Sequence, residues 1–146
     1  MPADGRAILI VEDNCVMADI MRFNFKRAGF DVTVAVNGRD GLERIRDRQF
    51  DLIIADYQMP RMNGEEFCRQ VRQDERHAAT PTFLCTAKGF ELDTVQLSQE
   101  LGITRILIKP FSPRELVEAA RDVLAGPPDA RERCSVRPDR SPSPAG

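Results

Sequence analysis

The sequence has very few of the residues on which zinc sites and nucleophilic triads depend. It contains one histidine, His77, and four cysteines, which form no Cys-x-x-Cys pair. Zinc ligands and Ser–His or Cys–His nucleophiles require clustered histidine and cysteine side chains, so both kinds of site are disfavoured. His77 lies in a polar stretch and is predicted to lie on the surface. Cys15, Cys68 and Cys85 are predicted to pack as small hydrophobic residues in their reduced form.

Long apolar segments and a strong excess of charge are also missing. No apolar stretch approaches the roughly 20 residues that span a bilayer. The apolar segment near the N-terminus, Ala7–Val11, ends in two acids, unlike a signal peptide. The formal net charge is −2, which gives no electrostatic reason to bind nucleic acid or an anionic membrane. We therefore expect a cytoplasmic protein that binds neither nucleic acid nor membrane directly.

Five short apolar runs alternate with segments that carry helix-capping signals. Four runs are near-continuous, as expected of parallel strands covered by helices on both faces, whereas the second contains Thr33 and is predicted to lie nearer an edge. Five alternations of strand and helix predict an α/β protein with a doubly wound parallel sheet of five strands and five helices. The runs are Ala7–Val11, Val32–Val36, Leu52–Ala55, Phe83–Cys85 and Ile106–Ile108.

Capping signals and composition set the limits of the domain. Asn14 is predicted to cap the first helix, and Gly29 to end it. The stretch Ser112-Pro113-Arg114-Glu115 begins the last helix with a capping box. From Gly126 onward, 21 residues include five prolines and four arginines and almost nothing apolar. The folded domain is therefore predicted to span residues 5–125, followed by a disordered proline- and arginine-rich tail over residues 126–146.

Polar side chains follow four of the five runs, at the strand ends where open parallel sheets bind ligands. Glu12 and Asp13 follow the first run, Asp56 the third, Thr86 the fourth and Lys109 the fifth. The carboxyl ends of parallel strands meet at one edge of a sheet, so these side chains are expected to converge. Three carboxylates beside one lysine repel one another, which predicts a hard divalent cation between them, with Mg²⁺ as the favoured ion.

A lysine and a hydroxyl beside such a metal favour a tetrahedral anion as a further guest. The chain has neither a Gly-x-x-x-x-Gly-Lys-Ser/Thr loop nor a Gly-x-Gly-x-x-Gly loop that could hold a phosphate. A phosphate is therefore expected to be held covalently or very transiently. Asp56, which ends the central strand, is the carboxylate best placed to receive it.

Four separated motifs resemble the receiver domain of two-component response regulators. They are Glu12-Asp13, the stretch from Asp56 to Gly64, Thr86-Ala87, and Ile108-Lys109-Pro110-Phe111. The resemblance covers about residues 6–125 and is closest to stand-alone regulators of the chemotaxis type. It implies a flavodoxin-like sheet with the strand order 2-1-3-4-5 and a signalling domain in place of a conventional enzyme. In this reading the chain assists only its own Mg²⁺-dependent phosphorylation and dephosphorylation.

The resemblance also implies roles for individual residues. Asp56 would take a phosphoryl group from a phosphohistidine on a histidine kinase or a histidine phosphotransfer protein. Glu12, Asp13, Asp56 and the backbone carbonyl of Gln58 would hold Mg²⁺. Thr86 and Lys109 would bind the acyl phosphate and pass the signal to a downstream effector protein. The peptide bond between Lys109 and Pro110 is expected to be cis.

One position departs from the family pattern. Ile106 stands three residues before the lysine, where the family often has an aromatic residue that turns inward on activation. Isoleucine has no ring to turn and is stiff about its first torsion. We therefore hypothesise a switch that depends more on Thr86 and on backbone motion, with Phe111 or Phe83 as a weak substitute for the missing ring.

Other functions stay open at this point. A magnesium-dependent phosphohydrolase with an aspartyl nucleophile usually has a second acid two residues later, where this chain has Gln58. An interaction module that never accepts phosphate is a further alternative, and the tail also resembles a linker to an output domain. If the sequence is complete, the output is expected to be another protein. A kinase partner is expected to dock on Cys15, Val16, Met17 and the stretch Phe111-Ser112-Pro113, although Val16 and Met17 equally suit a core.

Overall fold

The computed structural model describes residues 6–87 and 94–125, and its five strands form one parallel sheet in the order β2-β1-β3-β4-β5. This order and the five flanking helices confirm the predicted flavodoxin-like fold. The strands are β1 (Ala7–Val11), β2 (Asp31–Ala35), β3 (Leu52–Asp56), β4 (Thr82–Ala87) and β5 (Arg105–Lys109). The helices are α1 (Cys15–Arg27), α2 (Gly38–Asp47), α3 (Gly64–Gln73), α4 (Thr94–Leu101) and α5 (Pro113–Leu124), with a 3₁₀ turn at Glu75–His77.

The sheet separates two hydrophobic cores, which explains the near-continuous apolar runs. Every residue of β1 and β3 is buried. Successive side chains of a strand point to opposite faces. Thus Leu9 belongs to the core beneath α2 and α3, whereas Ile8 and Ile10 belong to the core beneath α1 and α5. The two central strands therefore hold their carboxyl ends between two packed layers.

The edge strands are less covered than the sequence pattern suggests. β2 lies at one edge, as predicted, and Val36 falls just beyond its end. β5 forms the other edge, as the strand order 2-1-3-4-5 implied, but the prediction that its apolar run is covered on both faces is wrong, since no residue of β5 is buried. Ile108 is 58% exposed, and Ile106 and Leu107 are half-buried. The three apolar residues of the run do not by themselves indicate how far each face of the strand is covered.

The capping predictions for α1 and α5 are confirmed. Asn14 Oδ1 accepts a hydrogen bond from the backbone N–H of Met17 (3.0 Å). Gly29, just beyond α1, has a φ of 98°, a conformation that favours glycine. Ser112 Oγ accepts from the backbone N–H of Glu115 (3.0 Å), whose carboxylate accepts from the N–H of Ser112 (3.2 Å). The two helices therefore begin at fixed points beside the ends of β1 and β5.

Two of the cysteine predictions are confirmed and one is wrong. Cys68 and Cys85 are buried free thiols, and burial raises the pKa of each to about 12. Cys15 is exposed, because it begins α1 on the outer face of that helix. The predicted tail over residues 126–146 lies outside the described residues. Among those described, no helix has the length and apolar character needed to cross a lipid bilayer.

The prediction that His77 lies on the surface is wrong. The imidazole is completely buried, although residues 75, 76, 78 and 79 around it are exposed. Its Nε2 accepts a hydrogen bond from the backbone N–H of Phe50 (3.0 Å), and its Nδ1 lies 3.3 Å from Asp74 Oδ1. An unpaired buried N–H is costly, so the neutral imidazole satisfies a backbone donor that the sheet leaves without a partner.

This burial predicts a pH-dependent stability. Burial lowers the pKa of His77 below its ordinary value of 6.5, although the Asp74 carboxylate opposes the shift. As the pH falls below about 6.5, His77 is protonated in the unfolded chain but stays neutral in the folded one. The free energy of unfolding therefore decreases with falling pH until the pKa of His77 in the folded protein is reached. Urea unfolding between pH 8 and pH 5 should show a steeper loss for wild type than for His77→Gln, and parallel profiles would contradict this assignment.

Candidate functional site

Three carboxylates meet at the carboxyl ends of β1 and β3, as the sequence predicts. Val11 pairs with Ala55 across the two strands, so the next residues, Glu12 and Asp56, emerge side by side. Glu12, Asp13 and Asp56 each offer an oxygen, and these oxygens lie within 4.8 Å of one another. Glu12 and Asp56 are buried, whereas Asp13 is exposed at the mouth of the site.

Lys109 brings the one positive charge seen among these acids in the described residues. It ends β5, and its Nζ lies 3.0 Å from Asp56 Oδ1 and 3.6 Å from Glu12 Oε1. The Lys109–Pro110 peptide bond is cis, as predicted. β4 lies between β3 and β5, so the lysine reaches past the end of β4 to meet the acids.

The pKa shifts of Glu12, Asp56 and Lys109 show that negative charge exceeds positive charge at this site. Burial, and then the charge of Asp56, raises the pKa of Glu12. Burial likewise raises the pKa of Asp56, even though Lys109 opposes the shift. Burial acts to lower the pKa of Lys109, but its contacts with Asp56 and Glu12 outweigh burial and raise the pKa. A single ammonium therefore leaves two buried carboxylates short of positive charge.

The donor set suits Mg²⁺. Carboxylate oxygens are the ligands that this hard cation prefers, and they gather here at one partly open point. The pKa of Glu12 and the pKa of Asp56 are both raised, which is the electrostatic state that a bound divalent cation relieves. No other group of three or more acidic, histidine or cysteine ligands comes together within the ranges that the structure describes.

Thr86 brings a buried hydroxyl to the site. The residue lies near the end of β4, is buried, and its Oγ1 has no hydrogen-bond partner among the described residues. Apart from the ion pair with Lys109, Asp56 Oδ1 also accepts no hydrogen bond there. Buried polar atoms are normally paired, so these two atoms mark a position where an additional polar group is expected.

The loop after Asp56 is held close to the site by Gly64, which begins α3. The backbone N–H of Gly64 donates to the carbonyl of Tyr57 (2.7 Å). A Cβ at this position would lie 2.8 Å from the backbone Cα of Tyr57 and from Leu84 Cδ2. Only glycine permits this close approach without a shift of the backbone, so the residue fixes the path of the loop.

The side chain of Gln58 makes a contact that sequence reasoning missed. Its Oε1 accepts a hydrogen bond from the backbone N–H of Ala87 (3.1 Å). The side chain is exposed, and no motif in the sequence signals this bond. The bond joins the loop after β3 to the last residue of β4.

Comparison with known proteins agrees with this geometry. The model of the response regulator receiver domain matches residues 8–121. The chemotaxis response regulator CheY4 of Vibrio cholerae is 30% identical, with a TM-score of 0.74 over 82% of this chain and 98% of that one. The receiver domain of a Francisella response regulator is 26% identical, with a TM-score of 0.71 over 80% of this chain and 94% of that one.

A third similar structure bears on the acidic cluster. The receiver domain of a sensor histidine kinase from Pseudomonas aeruginosa is 26% identical, with a TM-score of 0.72 over 82% of this chain and 97% of that one. That structure is described with a magnesium ion coordinated in its active site cleft. The family model covers most of this chain, and the fold and the acidic cluster both agree with it. The chain therefore belongs to the response regulator receiver domain family.

Proposed function

We propose that the chain is a cytoplasmic phosphorelay regulator that accepts a phosphoryl group on Asp56. The donor is a phosphohistidine on a histidine kinase or a histidine phosphotransfer protein, and the output is altered binding to an effector protein. The observation that carries this proposal is the position of Asp56. Asp56 ends the central strand, and its carboxylate lies 3.0 Å from Lys109 Nζ and beside two further acids. The Thr86 hydroxyl, near the end of the next strand, has no hydrogen-bond partner among the described residues.

Mg²⁺ is held in this proposal by Glu12, Asp13, Asp56 and the backbone carbonyl of Gln58. Bound there, the ion supplies positive charge that neutralises both the acids and the incoming phosphoryl oxygens. Glu12 is fixed for this role, because one of its carboxylate oxygens also accepts the backbone N–H of Asn14 (3.2 Å). The exposed position of Asp13 leaves the metal open to solvent and to the phosphodonor.

Thr86 and Lys109 bind the transferred group. In the transfer, the phosphorus–nitrogen bond of the phosphohistidine breaks and a phosphorus–oxygen bond to Asp56 forms. Lys109 already contacts the acceptor carboxylate and is placed to neutralise an added oxygen. The Thr86 hydroxyl, which has no partner among the described residues, is free to donate a hydrogen bond to another.

The switch follows from directional charge. Phosphorylation replaces a monoanion with a group of roughly two negative charges and three acceptor oxygens. Thr86 and Lys109 move toward the new oxygens, which displaces the ends of β4 and β5 and reshapes the surface of α4, β5 and α5. A clean switch requires phosphorylation, together with partner binding, to favour the active state by about 5.5 kcal/mol.

Ile106 makes this switch differ from one with an aromatic residue at the same position. Ile106 is half-buried and packs against the core beneath α2 and α3. Phe83 is completely buried in the opposite core, so it is a poor substitute for a ring that must move. Phe111 is only half-buried against that core. The response therefore depends chiefly on Thr86 and on the backbone at the end of β4.

The outer face of α1 is the docking surface that we propose for the phosphodonor. Val16, Ile20 and Phe23 lie along one side of α1 and are 66%, 41% and 60% exposed. α1 begins two residues after Asp13, so this apolar face leads directly from the mouth of the site. A helical donor that packs along α1 would bring its phosphohistidine to Asp56. Met17 is half-buried and belongs to the margin of the core.

The proposal predicts covalent modification by a small phosphodonor. Incubation with acetyl phosphate and Mg²⁺ should add one phosphoryl group, about 80 Da, to the intact mass. The gain should disappear in Asp56→Asn and in the presence of EDTA. Asp51→Asn, another aspartate beside β3, serves as the matched variant and should still gain the mass. Beryllofluoride, which mimics a phosphoryl group, provides a second readout if acetyl phosphate is a poor donor. If the chain shows no mass gain and also no response to beryllofluoride, the proposal is overturned.

A further inference from the structure

The hydrogen bond between Gln58 and Ala87 ties together two segments that flank the phosphorylation site. Gln58 follows Asp56 by two residues, and Ala87 follows Thr86 directly. The backbone N–H of Ala87 donates to Gln58 Oε1 at 3.1 Å. The bond therefore holds the end of β4, where Thr86 lies, against the loop that leaves Asp56.

The donor in this bond is a backbone N–H that the sheet leaves without a partner. β3 ends at Asp56, which pairs with Cys85, and the next ladder bond runs from the N–H of Tyr57 to the carbonyl of Cys85 (2.8 Å). β4 continues for two residues beyond that point. The N–H of Ala87 thus extends past the end of β3, and the Gln58 side chain replaces the missing strand carbonyl.

The same N–H lies two residues beyond the Asp56–Cys85 pair, on the strand next to Asp56, and we infer that a phosphoryl group on Asp56 comes within its reach. A phosphoryl group brings three strong acceptor oxygens, and backbone N–H groups beyond strand ends are suitable donors to them. Its neighbour Thr86 presents a hydroxyl that has no hydrogen-bond partner within the described part of the chain. One N–H cannot give a full hydrogen bond both to the glutamine and to a phosphoryl oxygen, so the two acceptors compete.

We propose that the Gln58 side chain is a resting-state latch that holds the Ala87 N–H until a phosphoryl oxygen on Asp56 displaces it. The latch opposes the shift of the β4 end and so stabilises the unphosphorylated conformation. Gln58 is therefore a positioning residue, acting through Ala87 and Thr86. This inference rests on the proposed function, because it assumes that Asp56 is the acceptor.

The test compares Gln58→Met with wild type in beryllofluoride affinity at saturating Mg²⁺. Methionine keeps the length of the side chain but cannot accept the hydrogen bond. The substitution removes the hydrogen bond to the Ala87 N–H from the resting state, whereas the beryllofluoride-bound state does not contain this bond. Beryllofluoride should therefore bind about three-fold to ten-fold more tightly to Gln58→Met than to wild type. Gln70→Met, at an exposed glutamine of α3, is the matched control and should leave the affinity unchanged.

Amide hydrogen exchange gives an independent readout of the bond. The Ala87 amide of the unphosphorylated protein should exchange faster in Gln58→Met than in wild type, and the difference should vanish once beryllofluoride is bound. Equal or weaker beryllofluoride affinity in Gln58→Met, equal tightening in Gln70→Met, or unchanged exchange at Ala87 would each overturn the latch. A wild-type chain that binds no beryllofluoride and accepts no phosphoryl group would overturn the proposed function and the latch with it.

Discussion

Asp13→Asn is expected to bind Mg²⁺ at least about ten-fold more weakly than wild type. The substitution removes one of the three carboxylates whose oxygens lie within 4.8 Å of one another. Loss of a supporting group beyond the ligands already lowers metal affinity by roughly ten-fold or more, and loss of a ligand should cost at least as much. Calorimetric titration with Mg²⁺ measures the effect directly. Asp19→Asn, on the exposed face of α1, is the control and should bind the ion normally.

The same variant should be more stable than wild type when no divalent ion is present. Burial raises the pKa of Glu12 most, and repulsion by Asp56 and then Asp13 adds to the shift, so removing the charge of Asp13 relieves part of that repulsion. Thermal unfolding in EDTA should therefore give a higher midpoint for Asp13→Asn, whereas wild type should gain more from added Mg²⁺. An Asp13→Asn variant with wild-type Mg²⁺ affinity would show that the cluster is not the metal site.

Thr86→Val is expected to stabilise the unphosphorylated protein by about 1 kcal/mol while weakening its response to beryllofluoride. The Thr86 hydroxyl is buried without a partner among the described residues, and leaving such a group unpaired costs roughly 1–3 kcal/mol. Valine fills nearly the same space and removes that cost. The phosphoryl group then loses one of its two side-chain partners, so stability and function change in opposite directions.

A second buried threonine of β4, Thr82, provides the matched control for this prediction. Thr82 is also buried on β4, but its Oγ1 donates to the carbonyl of Thr80 and accepts from Arg72, each at 3.0 Å. Thr82→Val should therefore destabilise the protein in urea unfolding. If Thr86→Val destabilises the protein to the same extent as Thr82→Val, the Thr86 hydroxyl is already paired in the unphosphorylated protein and is not reserved for the phosphoryl group.

The sheet and the acidic site could be predicted because both follow from short-range patterns. Apolar runs of four to five residues identified β1 and β3, and the parallel arrangement brought whatever followed them to one edge. The convergence of the three carboxylates could be predicted without knowledge of side-chain packing, since strand register alone places Glu12, Asp13 and Asp56 together. The same reasoning brought Lys109 to the acids across the end of β4.

The features that the sequence did not predict depend on long-range contacts. His77 is buried because a backbone N–H 27 positions earlier, at Phe50, needs an acceptor. Arg72 looks like a surface residue of α3, yet its guanidinium donates to the carbonyls of His77, Thr80 and Leu101. The exposure of Ile108 on β5 depends on how far neighbouring elements cover that strand, which its three apolar residues do not indicate. In each case the decisive partner lies elsewhere in the chain.

Identification of the modified residue tests the central claim most directly. After incubation with acetyl phosphate and Mg²⁺, the chain would be digested quickly under mildly acidic conditions and its peptides mapped by mass spectrometry. We expect one phosphoryl group, located on the peptide that carries Asp56 and absent when Mg²⁺ is withheld. A phosphoryl group on Glu12, on Asp13 or on any hydroxyl, with Asp56 unmodified, would contradict that claim.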